Sequence, residues 1–215
     1  MENEEIEQNP IRCKTIIVGD SGVGKTSIIS RYLKKFKEKE KATIGASFTN
    51  KLETIDGKLI LFEIWDIAGQ ERYRSINNIF YQDAYICLLV YDITKKESFQ
   101  NIKEYWYKSV FDESSEKIIF HVVGNKIDLL RDEIVDRKEV KDYCDNIGAD
   151  LSFISAKEEN GTYIDALFKK LGEKFIASDI YKENNNFLKR KETKKVSFDD
   201  NTTQDKVIKK QKRCC

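Results

Sequence analysis

Between a β-branched apolar run, Lys14-Thr15-Ile16-Ile17-Val18, and a helix-forming segment lies Gly19-Asp20-Ser21-Gly22-Val23-Gly24-Lys25-Thr26. A short buried strand that feeds a glycine loop opening a helix is a strand–loop–helix unit. Such units stack into parallel sheets covered by helices. The loop fits G-x-x-x-x-G-K-[ST] in the context that gives this pattern its meaning. Its glycines let successive N–H groups turn toward one anion, and the helix behind adds its positive end. Asp20, Ser21, Gly22, Val23, Gly24, Lys25, Thr26 and Ser27 are therefore the candidate phosphate cradle. Lys25 can reach the outer phosphates, and the Thr26 hydroxyl can ligate Mg²⁺.

The alternation continues along the chain. Strand-like apolar runs occupy 12–18, 46–55, 58–66, 85–91, 117–124 and 151–154, and helix-like stretches occupy 25–33, 97–110, 136–147 and 163–177. Asp56-Gly57 between two strand runs is a strong hairpin signal. The pattern predicts an α/β fold: a mostly parallel six-stranded sheet with one antiparallel hairpin and helices on both faces. Ligands of such sheets bind beyond the carboxyl ends of the strands, where the loop above falls. The 215 residues suit one domain of this kind plus a tail. We read 1–11 as a flexible N-terminus, 12–177 as the domain and 178–215 as a disordered basic tail, because its composition buries too little surface to offset chain entropy.

Charge divides the same way. Residues 178–215 carry eleven Lys and Arg against six Asp and Glu, while the remainder carries 27 against 31. A mildly acidic body without a basic face argues against nucleic acid as a partner. The basic tail suits an anionic membrane surface. Cys13, Cys87 and Cys144 lack metal-ligand spacing and read as small buried thiols. Nothing at the N-terminus resembles a secretion signal, and no apolar run is long enough to span a membrane, so the chain is expected to act on the cytosolic side. The lone His121 reads as a satisfied core residue, and Trp106 as part of an amphipathic helix face.

Further chemistry sits at other strand ends. The run 58–66 closes on Asp66, followed by Ile67-Ala68-Gly69-Gln70-Glu71. An Asp there can hold Mg²⁺ through water, Gly69 can offer an N–H to the terminal phosphate, and Gln70 can both donate to and accept from an attacking water. Another apolar strand closes on Val123-Gly124-Asn125-Lys126-Ile127-Asp128. A carboxylate accepts from both the ring N–H and the amino group of guanine, a pair that adenine lacks, so Asp128 reads guanine. Asn125 and the Lys126 stem form its pocket, and Ser155-Ala156-Lys157 brings backbone to the base carbonyl. A nucleotide kinase or ATPase shares the phosphate loop but not this base reader.

With these pieces in order, the sequence resembles the Rab family of small GTPases within the Ras superfamily, from Arg12 to about Ala177. The resemblance rests on Ile44-Gly45-Ala46-Ser47-Phe48, Trp65-Asp66, Gly69-Gln70-Glu71-Arg72-Tyr73-Arg74-Ser75 and Tyr91-Asp92-Ile93-Thr94. Ala46 and Phe62-Glu63-Ile64-Trp65 look most like the endosomal branch. The resemblance implies a monomeric switch that hydrolyses GTP to GDP, with Gln70 and Lys25 as catalytic residues and with Thr43 closing over Mg²⁺ and the terminal phosphate. It also implies that Phe36 packs against guanine and that Ile44, Phe48, Trp65 and Phe80 form an effector surface. Implied partners are an exchange factor, a GTPase-activating protein, a dissociation inhibitor, an escort protein with its prenyltransferase, and effectors. The terminal Cys214-Cys215 resembles a Rab substrate for double geranylgeranylation, which would hold the chain on the cytosolic face of an intracellular membrane beside a soluble cytosolic pool.

Three features depart from the family pattern. Ile67 replaces a Thr, Gln82-Asp83 replaces Arg-Gly, and the stretch before Phe36 is about one residue short and continues as Lys37-Glu38-Lys39-Glu40-Lys41. Ile67 and the altered segment keep a second reading open, a GTP-holding scaffold impaired in hydrolysis.

Overall fold

A computed structural model describes residues 9–38, 42–70, 74–114, 117–179 and 181. The expected N-terminal flexibility, part of the charged 37–41 run, Glu71, Arg72, Tyr73 and the tail with Cys214 and Cys215 lie outside the described residues. Six strands form one sheet in the order β2-β3-β1-β4-β5-β6. They are β1 (Ile11–Val18), β2 (Ala46–Ile55), β3 (Lys58–Ile67), β4 (Ile86–Asp92), β5 (Ile119–Asn125) and β6 (Asp150–Ile154). Only β2 runs antiparallel to its neighbour, from Ala46 opposite Ile67 to Ile55 opposite Lys58. The turn at Asp56-Gly57 has φ of 49° and 71°, the left-handed pair that a two-residue hairpin requires. The sheet is the predicted one, mostly parallel and six-stranded with a single antiparallel hairpin.

The central strands β4 and β5 are buried at every position, as expected for parallel strands covered on both faces. One face carries α2 (Arg74–Tyr81), α3 (Lys96–Asn101), α4 (Tyr107–Glu113) and α5 (Arg137–Ile147), which bring Tyr81, Phe99, Val110 and Val140 onto Leu89, Tyr91 and Val122. On the other face are α1 (Lys25–Tyr32) and α6 (Thr162–Ala177). Tyr32 and Phe168 stack with centroids 3.6 Å apart, and both meet the edge of Phe62. The α5 helix starts on a cap: Asp136 accepts from the Lys138 N–H at 2.8 Å.

Two expectations need correction, and one element was not foreseen. The predicted helix 97–110 is two α-helices joined by a π-helical turn, Ile102–Trp106, in which the Tyr107 N–H donates to the Ile102 carbonyl. Trp106 is completely buried with Ile102 and Val110, as the apolar side of an amphipathic helix face requires. Helix α2 was not predicted, since its sequence ArgSerIleAsnAsnIlePheTyr is polar at its start and short. His121 is only half satisfied. Its Nε2 lies 2.9 Å from Ser152 Oγ, while Nδ1 is buried without a hydrogen-bond partner among the described residues. Burial, with Lys170 adding to it, lowers the imidazole to about 4, so it is neutral near pH 7.

Candidate functional site

The loop between β1 and α1 turns back on itself at the carboxyl end of the sheet. Gly24 caps α1 with φ 99°, and a Cβ there would collide with Asn125 Nδ2. Only glycine fits this position. Lys25 is buried, and its Nζ donates to the carbonyls of Gly19 at 2.7 Å and Asp20 at 2.8 Å. Burial lowers the ammonium to about 8, with Asp66 and Asp20 opposing that shift. The cation is thus held beside the loop by carbonyls that an incoming phosphate can replace.

Three segments far apart in sequence bring their oxygens together next to Lys25. The Thr26 hydroxyl donates to Asp66 Oδ2 at 2.5 Å, Thr43 donates to the same oxygen at 3.3 Å, and the two hydroxyls lie 2.9 Å apart. Asp66 is buried at the end of β3. Among the described residues no group of three or more His, Cys, Asp or Glu could hold a metal. Two hydroxyls and one carboxylate are hard oxygen donors that leave positions for phosphate and water, which fits Mg²⁺ and not a thiolate- or imidazole-bound metal. Gly69 presses its backbone onto the loop, where any Cβ would overlap Gly19 and Asp20. Ser21, Gly22, Gly24, Lys25, Thr26, Ser27, Thr43 and Gly69 all line one cavity of about 610 Å³.

A second cavity, about 440 Å³, shares Gly24, Ser27, Glu38 and Lys126 with the first and adds Phe36, Asn125, Asp128, Ala156 and Lys157. Here the side chains are braced against one another. Asn125 Nδ2 donates to the Val23 carbonyl at 2.8 Å, and its Oδ1 accepts from the Ala156 N–H at 3.1 Å. The residue predicted to form a pocket therefore also ties the phosphate loop to the 155–157 loop. Asp128 Oδ1 accepts from Ser155 Oγ at 2.6 Å, and Ser155 in turn accepts from the Lys157 N–H at 3.1 Å. Phe36 lies under the Arg31 guanidinium, 3.8 Å from its ring centroid.

Sequence reasoning missed several supports of this site. Asp92, at the end of β4, pairs with Lys126 at 2.6 Å and accepts from both the N–H and the hydroxyl of Thr94, fixing Lys126 in its left-handed conformation. Glu38 lines both cavities. Asn101 and Trp106 reach the phosphate loop through Asp20, at 2.7 and 2.8 Å. The acidic end of an apolar strand could have flagged Asp92. Nothing local marks Asn101 or Trp106.

Of the four residues expected on the effector surface, Phe48, Trp65 and Phe80 form a contiguous aromatic row. Ile44 is 76 % and Phe48 50 % exposed. Phe48 and Trp65 lie 5.0 Å apart, Trp65 and Phe80 5.4 Å, and the latter two pack partly into the core. Ile67, in contrast, is fully buried among the core side chains.

The Ras family matches residues 14–177 of the chain. A Ras-related protein Rab-21 from Geodia cydonium is 37 % identical over 173 residues, covering 80 % of this chain and 74 % of the relative. Ras-related protein YPTC6 from Chlamydomonas reinhardtii is 39 % identical over 169 residues, covering 78 % and 74 %. Ras-related protein rab-11.1 from Caenorhabditis elegans is 38 % identical over 174 residues, covering 80 % and 79 %. The chain belongs to the Ras family, in its Rab branch. Members of this family are GTPases that act with regulators and effectors. No helix among the described residues is long and apolar enough to cross a membrane.

Proposed function

We propose that this chain is a Rab-type switch that binds GTP with Mg²⁺, hydrolyses it to GDP, and directs vesicle traffic at the cytosolic face of an intracellular membrane. The observation that carries the reading is the continuity of the two cavities. One gathers Lys25, Thr26, Thr43 and Gly69 at the end that suits phosphates, and the other holds Phe36, Asn125 and Asp128 at the end that suits guanine. Thr26 and Thr43, with Asp66 through water, would hold the Mg²⁺, which would offset the charge of the outer phosphates. Lys25 exchanges its carbonyl partners for phosphate oxygens, and the loop N–H groups hold charge that spreads over the terminal phosphoryl group. Gln70 orients water in line with that group. Among the described residues no arginine lines the phosphate cavity, so turnover is slow until a partner contributes about 10³–10⁵-fold, the range arginine fingers supply in Ras-type GTPases.

Thr43 and Gly69 respond to the terminal phosphate, and their release after hydrolysis is the signal. Ile44, next to Thr43 in the chain, and the aromatic row of Phe48, Trp65 and Phe80 are where an effector reads that state. Ala46 with the 62–65 run favours an endosomal membrane. Two geranylgeranyl groups on Cys214 and Cys215, with the basic residues before them, give stable anchoring where one lipid gives only reversible binding. Residues 12–177 are the switch domain, and 178–215 serve as its tether. Exchange factor, dissociation inhibitor, escort protein and prenyltransferase follow from this cycle, and the chain works as a monomer.

The scaffold reading loses ground at Ile67. Buried in the core, it packs the end of β3 and does not face the phosphate cavity. Single-turnover GTP hydrolysis decides between the two. Gln70→Leu is expected to lower the rate by about 10²-fold, consistent with loss of a water-positioning group, and to abolish acceleration by a cell extract. A wild-type rate that no extract raises supports the scaffold instead.

A further inference from the structure

We propose that Trp106 and Asn101 are positioning residues for the phosphate loop, acting through the Asp20 carboxylate; this role rests on the nucleotide-binding reading above. The Trp106 indole N–H donates to Asp20 Oδ1 at 2.8 Å, and Asn101 Nδ2 donates to Oδ2 at 2.7 Å. Each carboxylate oxygen thus has its own donor, from residues more than 80 positions away in the chain. The bonds to a charged acceptor are of the strong kind. Asp20 does not line the phosphate cavity. It lines a neighbouring one of about 440 Å³ together with Lys95, Glu97 and Asn101. Its side chain therefore braces the loop and does not contact the phosphates.

The π-helical turn is what makes the brace possible. In an uninterrupted α-helix, residues five apart point about 140° from each other, so 101 and 106 would face different neighbours. Widening the turn at Ile102–Trp106, with the Tyr107 N–H bonded to the Ile102 carbonyl, brings residues five apart onto one face. Both donors then reach a single carboxylate. The Asp20 carbonyl, on the same residue, accepts from Lys25 Nζ at 2.8 Å. Fixing the Asp20 side chain therefore fixes the peptide on which the phosphate-binding lysine rests. The brace keeps the loop in its nest-like conformation, and its chief consequence is slow loss of bound nucleotide.

The test is release of a fluorescent N-methylanthraniloyl GDP from the full-length chain into excess GDP with Mg²⁺ present. Trp106→Phe keeps an aromatic ring but removes the N–H together with the pyrrole part of the indole; it is expected to speed release about tenfold, and Asn101→Ala about threefold, because water can replace the amide at a half-buried position. Asp20→Ala should match or exceed Trp106→Phe, and combining the two should add less than twofold, because both remove the same interaction. The proposal is overturned if Trp106→Phe releases within twofold of wild type. It is equally overturned if Trp106→Phe speeds release by the same factor in the Asp20→Ala background, which would make Trp106 a packing residue only. Should Trp106→Phe not fold, Asn101→Ala, at a half-buried position, carries the same comparison. A wild-type chain that retains no GDP analogue overturns the proposed function and this role with it, whereas normal retention without sensitivity to these variants overturns the brace alone.

Discussion

The two halves of the site are built on opposite principles. On the base side, polar groups are spent on one another: Asn125 links two loops, Lys126 pairs with Asp92, and Asp128 accepts from Ser155. On the phosphate side, the groups converge on a single spot. Lys25 borrows two backbone carbonyls, and two hydroxyls crowd one oxygen of Asp66. Bracing the first half costs little when ligand arrives, since nothing must be rearranged. The second half is held by contacts that a phosphate and a cation can take over, so its geometry depends on what is bound. Under the proposed function, recognition is permanent at one end, and the signal is switchable at the other.

If the base side is a fixed reader, the largest effect should come from altering its chemistry without its shape. Asp128→Asn replaces one of the two acceptor oxygens by a donor, and should lower GDP affinity by at least about 10²-fold, since one guanine donor then faces an N–H₂ group instead of an acceptor. The same variant should gain affinity for xanthosine diphosphate, whose base carries a carbonyl at that edge. Competition titration reads both, and unchanged preference for guanine would remove Asp128 from its role.

The phosphate side should instead respond to pH. Burial holds Lys25 at about 8 before ligand binds, and a phosphate favours its charged form. Below that value the lysine is protonated in both states and affinity is level. Above it the empty site loses the proton that binding must restore, so GDP affinity should fall by up to about tenfold per unit between pH 8 and 9. Lys25→Ala should flatten this slope. A smaller effect is expected at Ser155→Ala, which removes one brace of Asp128: affinity should drop about fivefold, near 1 kcal/mol, with no change in pH dependence. A change in slope would mean that the two halves are not separable.

How much of this was legible in the sequence depended on distance along the chain. The loop, the strands, the Asp56-Gly57 turn and the strand-end residues Asp66 and Asp128 were readable because each is specified by a few neighbouring residues. Thr43 and Phe36 carry no chemistry of their own that names a role, and were found only through family resemblance. Helix α2 and the π-helical turn escaped notice because tertiary packing overrides the local pattern there. Trp106 is the instructive case: its spacing suits an amphipathic helix, yet its N–H meets a carboxylate 86 residues away in sequence. His121 taught a smaller lesson, since burial alone could be foreseen but not which nitrogen finds Ser152.

The most direct test of the contrast is amide hydrogen exchange of the full chain bound to GDP and then to a non-hydrolysable GTP analogue. The account predicts that 42–45 and 66–70 become protected when the terminal phosphate is present, while 123–128 and 154–157 exchange alike in both states. Equal exchange at 42–45 and 66–70 in the two states would contradict it.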